Sequence, residues 1–137
     1  MGFFRSVGFR VALITIVLLA ITTGAFAVVF ADRTQEPIYD VPGGDVELAR
    51  QAMEDYACYA CHTIPGVERA NTWVGPPLTN WGDRTYIAGS LPNDPDNLIS
   101  FIVNPQEYRP DTAMPVTGIS PEEAAHIAAY LYTLYDD

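Results

Sequence analysis

Hydrophobic positions in this chain fall into two regimes. Residues 11–31, "VALITIVLLAITTGAFAVVFA", are twenty-one positions without a charge, bracketed by Arg5 and Arg10 on one side and by Asp32 and Arg33 on the other. At about 1.5 Å per residue, a helix of that length reaches roughly 31 Å, the thickness of a bilayer's hydrocarbon core. Beyond it, "DRTQEPIYDVPGG" at 32–44 mixes Pro, Gly and charge without periodicity and reads as a tether. From Asp45 the period becomes helical. Asp45 can N-cap "VELARQAMEDYA", in which Val46, Ala49, Ala52, Met53 and Tyr56 share a face.

Residues 63–96 are rich in Gly, Pro, Asn and Asp, which disfavours long regular elements, although "WGDRTYIAG" at 81–89 has room for one short helix. "DPDNLISFIVN" at 94–104 predicts another: Asp94 or Asp96 caps it, Leu98, Phe101 and Ile102 share a face, and Pro105 stops it. The last helix is the best marked. Ser120 is its N-cap, Pro121 takes the first helical position, Glu123 completes a capping box, and "AAHIAAYLYTLY" carries an apolar stripe. No strand signal competes, so the pattern predicts an all-α domain at 45–137 behind a 1–10 cytoplasmic segment, an 11–31 transmembrane anchor and a 32–44 flexible tether.

A cleaved secretory signal competes with the anchor, because Arg5 and Arg10 form an n-region and "AFA" at 25–27 resembles a cleavage site. The apolar run exceeds the roughly 7–15 residues of a signal h-region, which favours an uncleaved single-pass helix. Either way the remainder is expected outside the cytoplasm, at the periplasmic or extracytoplasmic face, since the arginines ahead of the run stay inside.

Composition sharpens the partner question. The 137 residues carry a formal charge of −10, and all 17 carboxylates lie at or beyond Asp32 against five arginines there, so the exported part carries −12; there is no lysine. Such a field excludes nucleic acid and anionic lipid as natural ligands and suits a partner with a basic docking face. Keeping the domain soluble is an equally good account of the same charge.

The chemistry concentrates in "CYACH" at 58–62, which uses both cysteines and one of the two histidines. A disulfide oxidoreductase needs its Cys-x-x-Cys at a helix start in a βαβ context, and here the pair follows a helix with no strands beside it. A structural zinc needs four ligands, and beyond Cys58, Cys61 and His62 only His126 and distant carboxylates remain. Cys-x-x-Cys-His is also the signature of covalent c-type haem attachment: Cys58 and Cys61 forming thioethers, His62 carried beneath the iron as the proximal ligand. A second axial ligand would then come from a distant loop. Met1 starts the anchor, Met53 precedes the motif, and His126 sits mid-helix, which leaves Met114 in the Pro-flanked "RPDTAMPVTG" as the candidate.

"NPQEYRPDTAMPVTGISPEEAAHIAAYL" at 104–131 resembles the methionine loop and C-terminal helix of class I cytochromes c, and "GPPL" at 75–78 resembles the Gly-Pro-x-Leu that follows their haem motif. The resemblance covers nearly all of 45–135. It implies the cytochrome c fold, an all-α domain around one covalently attached haem c, with Met114 as distal ligand and the Pro76 carbonyl accepting the Nδ1 proton of His62. Thr112 and Asn104 match positions that support the methionine loop and a haem propionate, while Arg84, Trp81 and Tyr86 are further propionate candidates from their chemistry alone. Asp111 stands where the family usually has glycine, so a left-handed backbone is expected there. The acidic surface differs from the lysine-rich face of mitochondrial members, so their partners do not carry over. Residues 88–106 also look like haem domains attached to bacterial terminal oxidases.

His/Met ligation implies electron transfer, without catalysis of its own. The expected role is a membrane-anchored monohaem carrier at the outer face of the cell membrane, with an oxidase, a quinol-oxidising complex or a reaction centre as redox partner. The alternative is a fixed haem relay inside a larger membrane redox complex, to which the small and hydroxyl residues of "TTGAFA" at 22–27 would suit the anchor.

Overall fold

Asp45 opens the first helix of the domain because its extended backbone leaves the carboxylate free to accept from the N–H groups of Glu47 (2.9 Å) and Leu48 (3.4 Å). The helix, α1 (Val46–Asp55), buries Ala49, Ala52 and Met53 and ends where Ala57 turns into a left-handed conformation at φ 53°. In this computed structural model residues 14–16 and 37–136 are described. Residues 14–16 are helical; the rest of the 11–31 run expected to cross a membrane lies outside the described residues. Among the described residues no helix is long and apolar enough to do so.

The last helix, α4 (Pro121–Leu131), begins with the full capping box: Glu123 N–H donates to Ser120 Oγ (3.2 Å), and Glu123 Oε2 accepts from Ser120 N–H (3.1 Å) and Ser120 Oγ (2.6 Å). It lies against α1, and both helices bury small side chains, Ala49 and Ala52 on α1 and Ala124, Ala125 and Ala128 on α4. Tyr56 at the end of α1 joins the pair by donating to Glu123 Oε2 (2.8 Å). Then α2 (Pro95–Val103), capped by Asp94 through Asn97 N–H (3.0 Å), buries Leu98, Phe101 and Ile102 and packs on the other flank of α4.

Three sequence expectations change. Pro105 does not merely stop α2; it starts a one-turn helix, α3 (Pro105–Tyr108), using its fixed φ at the first helical position. Residues 81–89 are not a helix. They form a turn and then a two-residue hairpin, β1 (Tyr86–Ile87) paired antiparallel with β2 (Leu91–Pro92), reversed through positive φ at Ala88 (48°) and Gly89 (82°). The competitor is the buried Asn93. Its amide donates to the carbonyls of Trp81 (3.2 Å) and Arg84 (2.9 Å), acceptors that a helix would have used internally. Its Oδ1 in turn accepts from Tyr132 Oη (3.0 Å), and burial pushes the Tyr132 phenol well above its ordinary value.

The domain also begins before Asp45. Ile38 N–H donates to Tyr132 O (3.1 Å), Val41 is buried, and Tyr39 meets the Tyr132 ring edge-on at 4.8 Å. A Cβ at Gly44 would stand 2.7 Å from Ala129 Cβ, so glycine is what lets this strap lie on α4. The tether of 32–44 is therefore half absorbed into the fold.

Hydrogen bonds from Ser120 first, and then from Tyr56, hold the Glu123 carboxyl below its ordinary value of 4.5. A carboxylate depressed in the folded state stabilises it above the unfolded pKa, and that stabilisation disappears as pH falls through the folded one. Glu123→Gln should therefore lower the urea midpoint at neutral pH and flatten its decline on acidification, the two proteins converging once the pH has fallen through the depressed folded value. A penalty that stays constant with pH would contradict this.

Candidate functional site

The motif's geometry follows from how α1 ends. After the left-handed Ala57, residues Cys58–Ala60 form one 3₁₀ turn, with Cys61 N–H and His62 N–H both donating to Cys58 O (3.2 and 3.0 Å). In a 3₁₀ turn positions i and i+3 eclipse, so Cys58 and Cys61 share a face. The two are not joined in a disulfide, and burial pushes the Cys58 thiol above its ordinary value. Among the described residues no three His, Cys, Asp or Glu side chains converge as a metal cage.

Residues 72–78 run beside this turn and are pinned to it. Thr72 Oγ1 donates to Tyr59 O (3.2 Å), Gly75 N–H to Cys61 O (2.7 Å) and Leu78 N–H to Thr63 O (2.8 Å). The result places the Pro76 carbonyl 2.7 Å from His62 Nδ1. A carbonyl only accepts, so Nδ1 carries the proton and Nε2 keeps the ring's free lone pair. Gly75 lies against the imidazole: a Cβ there would stand 2.5 Å from Cε1 and 2.8 Å from Nδ1. No other residue fits without moving the ring.

Cys58, Cys61 and His62 open onto a cavity of about 370 Å³ whose wall is almost wholly apolar, with Met53, Ile64, Leu78, Ile87, Leu98, Phe101, Ile102, Ile127 and Leu131 among its lining. Met114 lines the same cavity from the loop between α3 and α4. Thr112 supports that loop, its Oγ1 accepting from Met114 N–H (3.3 Å) and its N–H donating to Arg109 O (3.0 Å). The expected left-handed Asp111 does not occur: it is absent from the positive-φ residues, and its carboxylate instead meets Arg109 Nε at 3.4 Å, so the loop turns without it.

Among the polar groups that interrupt the apolar wall are Trp81 and Arg84. Trp81 Nε1 is buried and has no hydrogen-bond partner among the described residues. The Arg84 guanidinium lies over the Trp81 ring at 4.7 Å, donates to Thr79 O (2.9 Å) and to Pro77 O, and burial pulls its pKa down. An orphan donor beside a half-buried cation calls for an anion at the cavity edge. The whole donor set, two thiols, one imidazole nitrogen, one thioether sulfur, an apolar slot and an anion corner, fits a haem with its two carboxylates.

The structure brings Cys58, Cys61, His62, Pro76, Thr112 and Met114 together but not Asn104. That residue caps α2, its amide donates to Glu107 Oε2 (3.3 Å), and it does not line the cavity. Tyr86 is 55 % exposed on β1 and also stays outside. His126 Nδ1 accepts from Asp45 N–H (3.0 Å), a structural tie between α4 and the start of α1. Sequence reasoning missed Asn93, which holds Trp81 and Arg84 in place; within "LPNDPDN" it reads only as turn punctuation.

Gly75→Ala should displace the His62 ring from Pro76 and cost about 1–3 kcal/mol of stability, the usual scale of overpacking. In ¹⁵N-histidine-labelled protein the Nδ1 proton resonance should shift or exchange faster with solvent. An unchanged resonance and unchanged unfolding would contradict the assigned contact.

The Cytochrome c family model matches residues 46–135. The chain is 37% identical over 86 residues to cytochrome c oxidase subunit 2 of Alkalihalophilus pseudofirmus, a match covering 62% of this chain and 24% of that protein. It is 27% identical over 88 residues to cytochrome c oxidase subunit 2 of Bacillus sp. strain PS3, covering 61% and 25%. The chain thus spans about a quarter of the length of these curated relatives. The match runs from the first residue of α1 past the end of α4 and takes in the whole cavity, and on it the chain belongs to the cytochrome c family, with that family's helical fold and covalently bound haem c.

Proposed function

We propose that the protein is a one-electron carrier in which Cys58 and Cys61 would bind haem c through thioethers and His62 and Met114 would hold its iron. One observation carries this reading: Cys58, Cys61, His62 and Met114 line a single apolar cavity, and the Pro76 carbonyl leaves His62 only Nε2 with which to bind a metal. A haem held by these residues would supply reversible one-electron chemistry, and a His/Met pair would raise its potential and leave no place for a substrate.

What the chain's own residues do is hold and tune. The His62–Pro76 hydrogen bond fixes the imidazole's orientation and raises its basicity, as outer partners do for metal-bound histidines. Trp81 Nε1–H and Arg84 offer donors to the propionates, and the apolar wall keeps water away from the centre. Thr112 keeps Met114 on the cavity side of its loop.

The apolar run at 11–31 supports an anchor that keeps this domain at the outer face of the cell membrane, where a tethered carrier meets membrane redox complexes at high effective concentration. An oxidase, a quinol-oxidising complex or a reaction centre are the partners in view. A second reading, a fixed relay within a terminal oxidase, is favoured by the two relatives that are oxidase subunits. Extraction in mild detergent separates the two: a shuttle purifies alone, whereas a relay brings stoichiometric partner chains with it.

Met114→Ala should open the sixth position. The ferric protein should lose its sulfur-to-iron band at the red end of the visible spectrum, the potential should fall, and the reduced protein should bind carbon monoxide at neutral pH where the parent does not. Survival of that band in the variant would show that Met114 is not the ligand.

A further inference from the structure

Trp73 and Val74 are the most exposed large hydrophobic side chains among the described residues, at 79 % and 75 %, and they are neighbours in sequence. They do not sit on a loose loop. The backbone on either side is tied to the Cys-His turn, by Thr63 Oγ1–H to Thr72 O (2.7 Å), by Thr72 Oγ1–H to Tyr59 O, and by Gly75 N–H to Cys61 O. Val74 lines the cavity itself, and Gly75 touches the His62 ring. A rigidly presented, solvent-exposed indole at the cavity rim is costly to keep in water and suits an interface anchor, because tryptophan gives large contact area for little lost freedom.

Charge identifies what it would meet. The residues beyond 31 carry −12 with no lysine. Of the arginines there, Arg50, Arg69 and Arg84 each lie over an aromatic ring, at 5.9, 5.1 and 4.7 Å; they keep their charge, and the 17 carboxylates outnumber the five arginines. The summed field that an approaching partner meets is therefore negative. We infer that Trp73, with Val74 beside it, is the docking centre for a redox protein whose contact face is an apolar spot ringed by Lys and Arg. Steering by charge brings the partner in, and burial of the indole holds it where the pinned 72–75 segment meets Cys61 and His62.

The inference rests on the electron-carrier reading, and the experiment keeps the two apart. The haem-loaded full chain in detergent is mixed by stopped flow with a lysine-rich mitochondrial cytochrome c, in whichever direction the potentials allow, over a range of salt. The second-order rate should fall steeply with salt. Trp73→Ala should lower it about ten-fold at every salt with the slope retained, the scale of an interface hot spot, Trp73→Phe should recover most of it, and Tyr86→Ala, another exposed aromatic but outside the rim, should leave it unchanged. An unchanged rate in Trp73→Ala, an equal loss in Tyr86→Ala, or self-association of the parent that disappears in Trp73→Ala would overturn the assignment, the last giving the patch to a second copy. Reduction by ascorbate and reoxidation by ferricyanide, followed in the haem spectrum of each variant, reports the carrier reading separately. A parent that fails this step removes both proposals, while a competent parent with an indifferent Trp73→Ala removes only the docking surface.

Discussion

The site depends on one contact, the 2.7 Å hydrogen bond from His62 Nδ1 to the Pro76 carbonyl across the flat of Gly75. It decides which imidazole nitrogen is protonated, where the other points, and how far the ring can rotate. Almost every local feature nearby serves it. The left-handed Ala57 turns the chain so that both cysteines and His62 face one way, and the ties of Gly75 to Cys61 and Leu78 to Thr63 hold the acceptor at the right distance. Both prolines at 76 and 77 lack an N–H, so this stretch has few donors to spend elsewhere and its carbonyls are free to face His62 and Arg84.

Around this contact the helices act as a frame. α1 delivers the cysteine turn, α4 supplies the opposite wall, and the two pack together, with Glu123 joining the ends through Ser120 and Tyr56. The anion corner has its own support in Asn93, a buried amide that restrains the turn carrying Trp81 and Arg84 and is itself held by Tyr132 on the segment after α4. The first and last parts of the domain therefore converge on the cavity from both sides.

Much of this was legible in the sequence, because capping and apolar spacing are local codes. Asp45, Asp94 and Ser120 each cap the helix they announce, and Cys-x-x-Cys-His with Gly-Pro-Pro-Leu marked the cavity floor. What the pattern concealed depended on partners far along the chain. Residues 81–89 have enough helix-compatible side chains, yet Asn93 takes their carbonyls; Ile38 and Val41 look like linker until Tyr132 and Ala129 are placed beside them. Asn104 carried a family position but spends its amide on Glu107, and Asp111 replaces a glycine without needing glycine's backbone.

The central claim is that Met114 and His62 close one haem between them, and the methionine methyls report it most directly. In ¹³C-methyl-methionine-labelled, reduced protein, a methyl held against a haem face is shifted far upfield by the ring current. One of the three methionines should show such a resonance, and it should vanish in Met114→Leu. Three methyls at ordinary shifts, or an upfield resonance that belongs to Met53, would contradict the account.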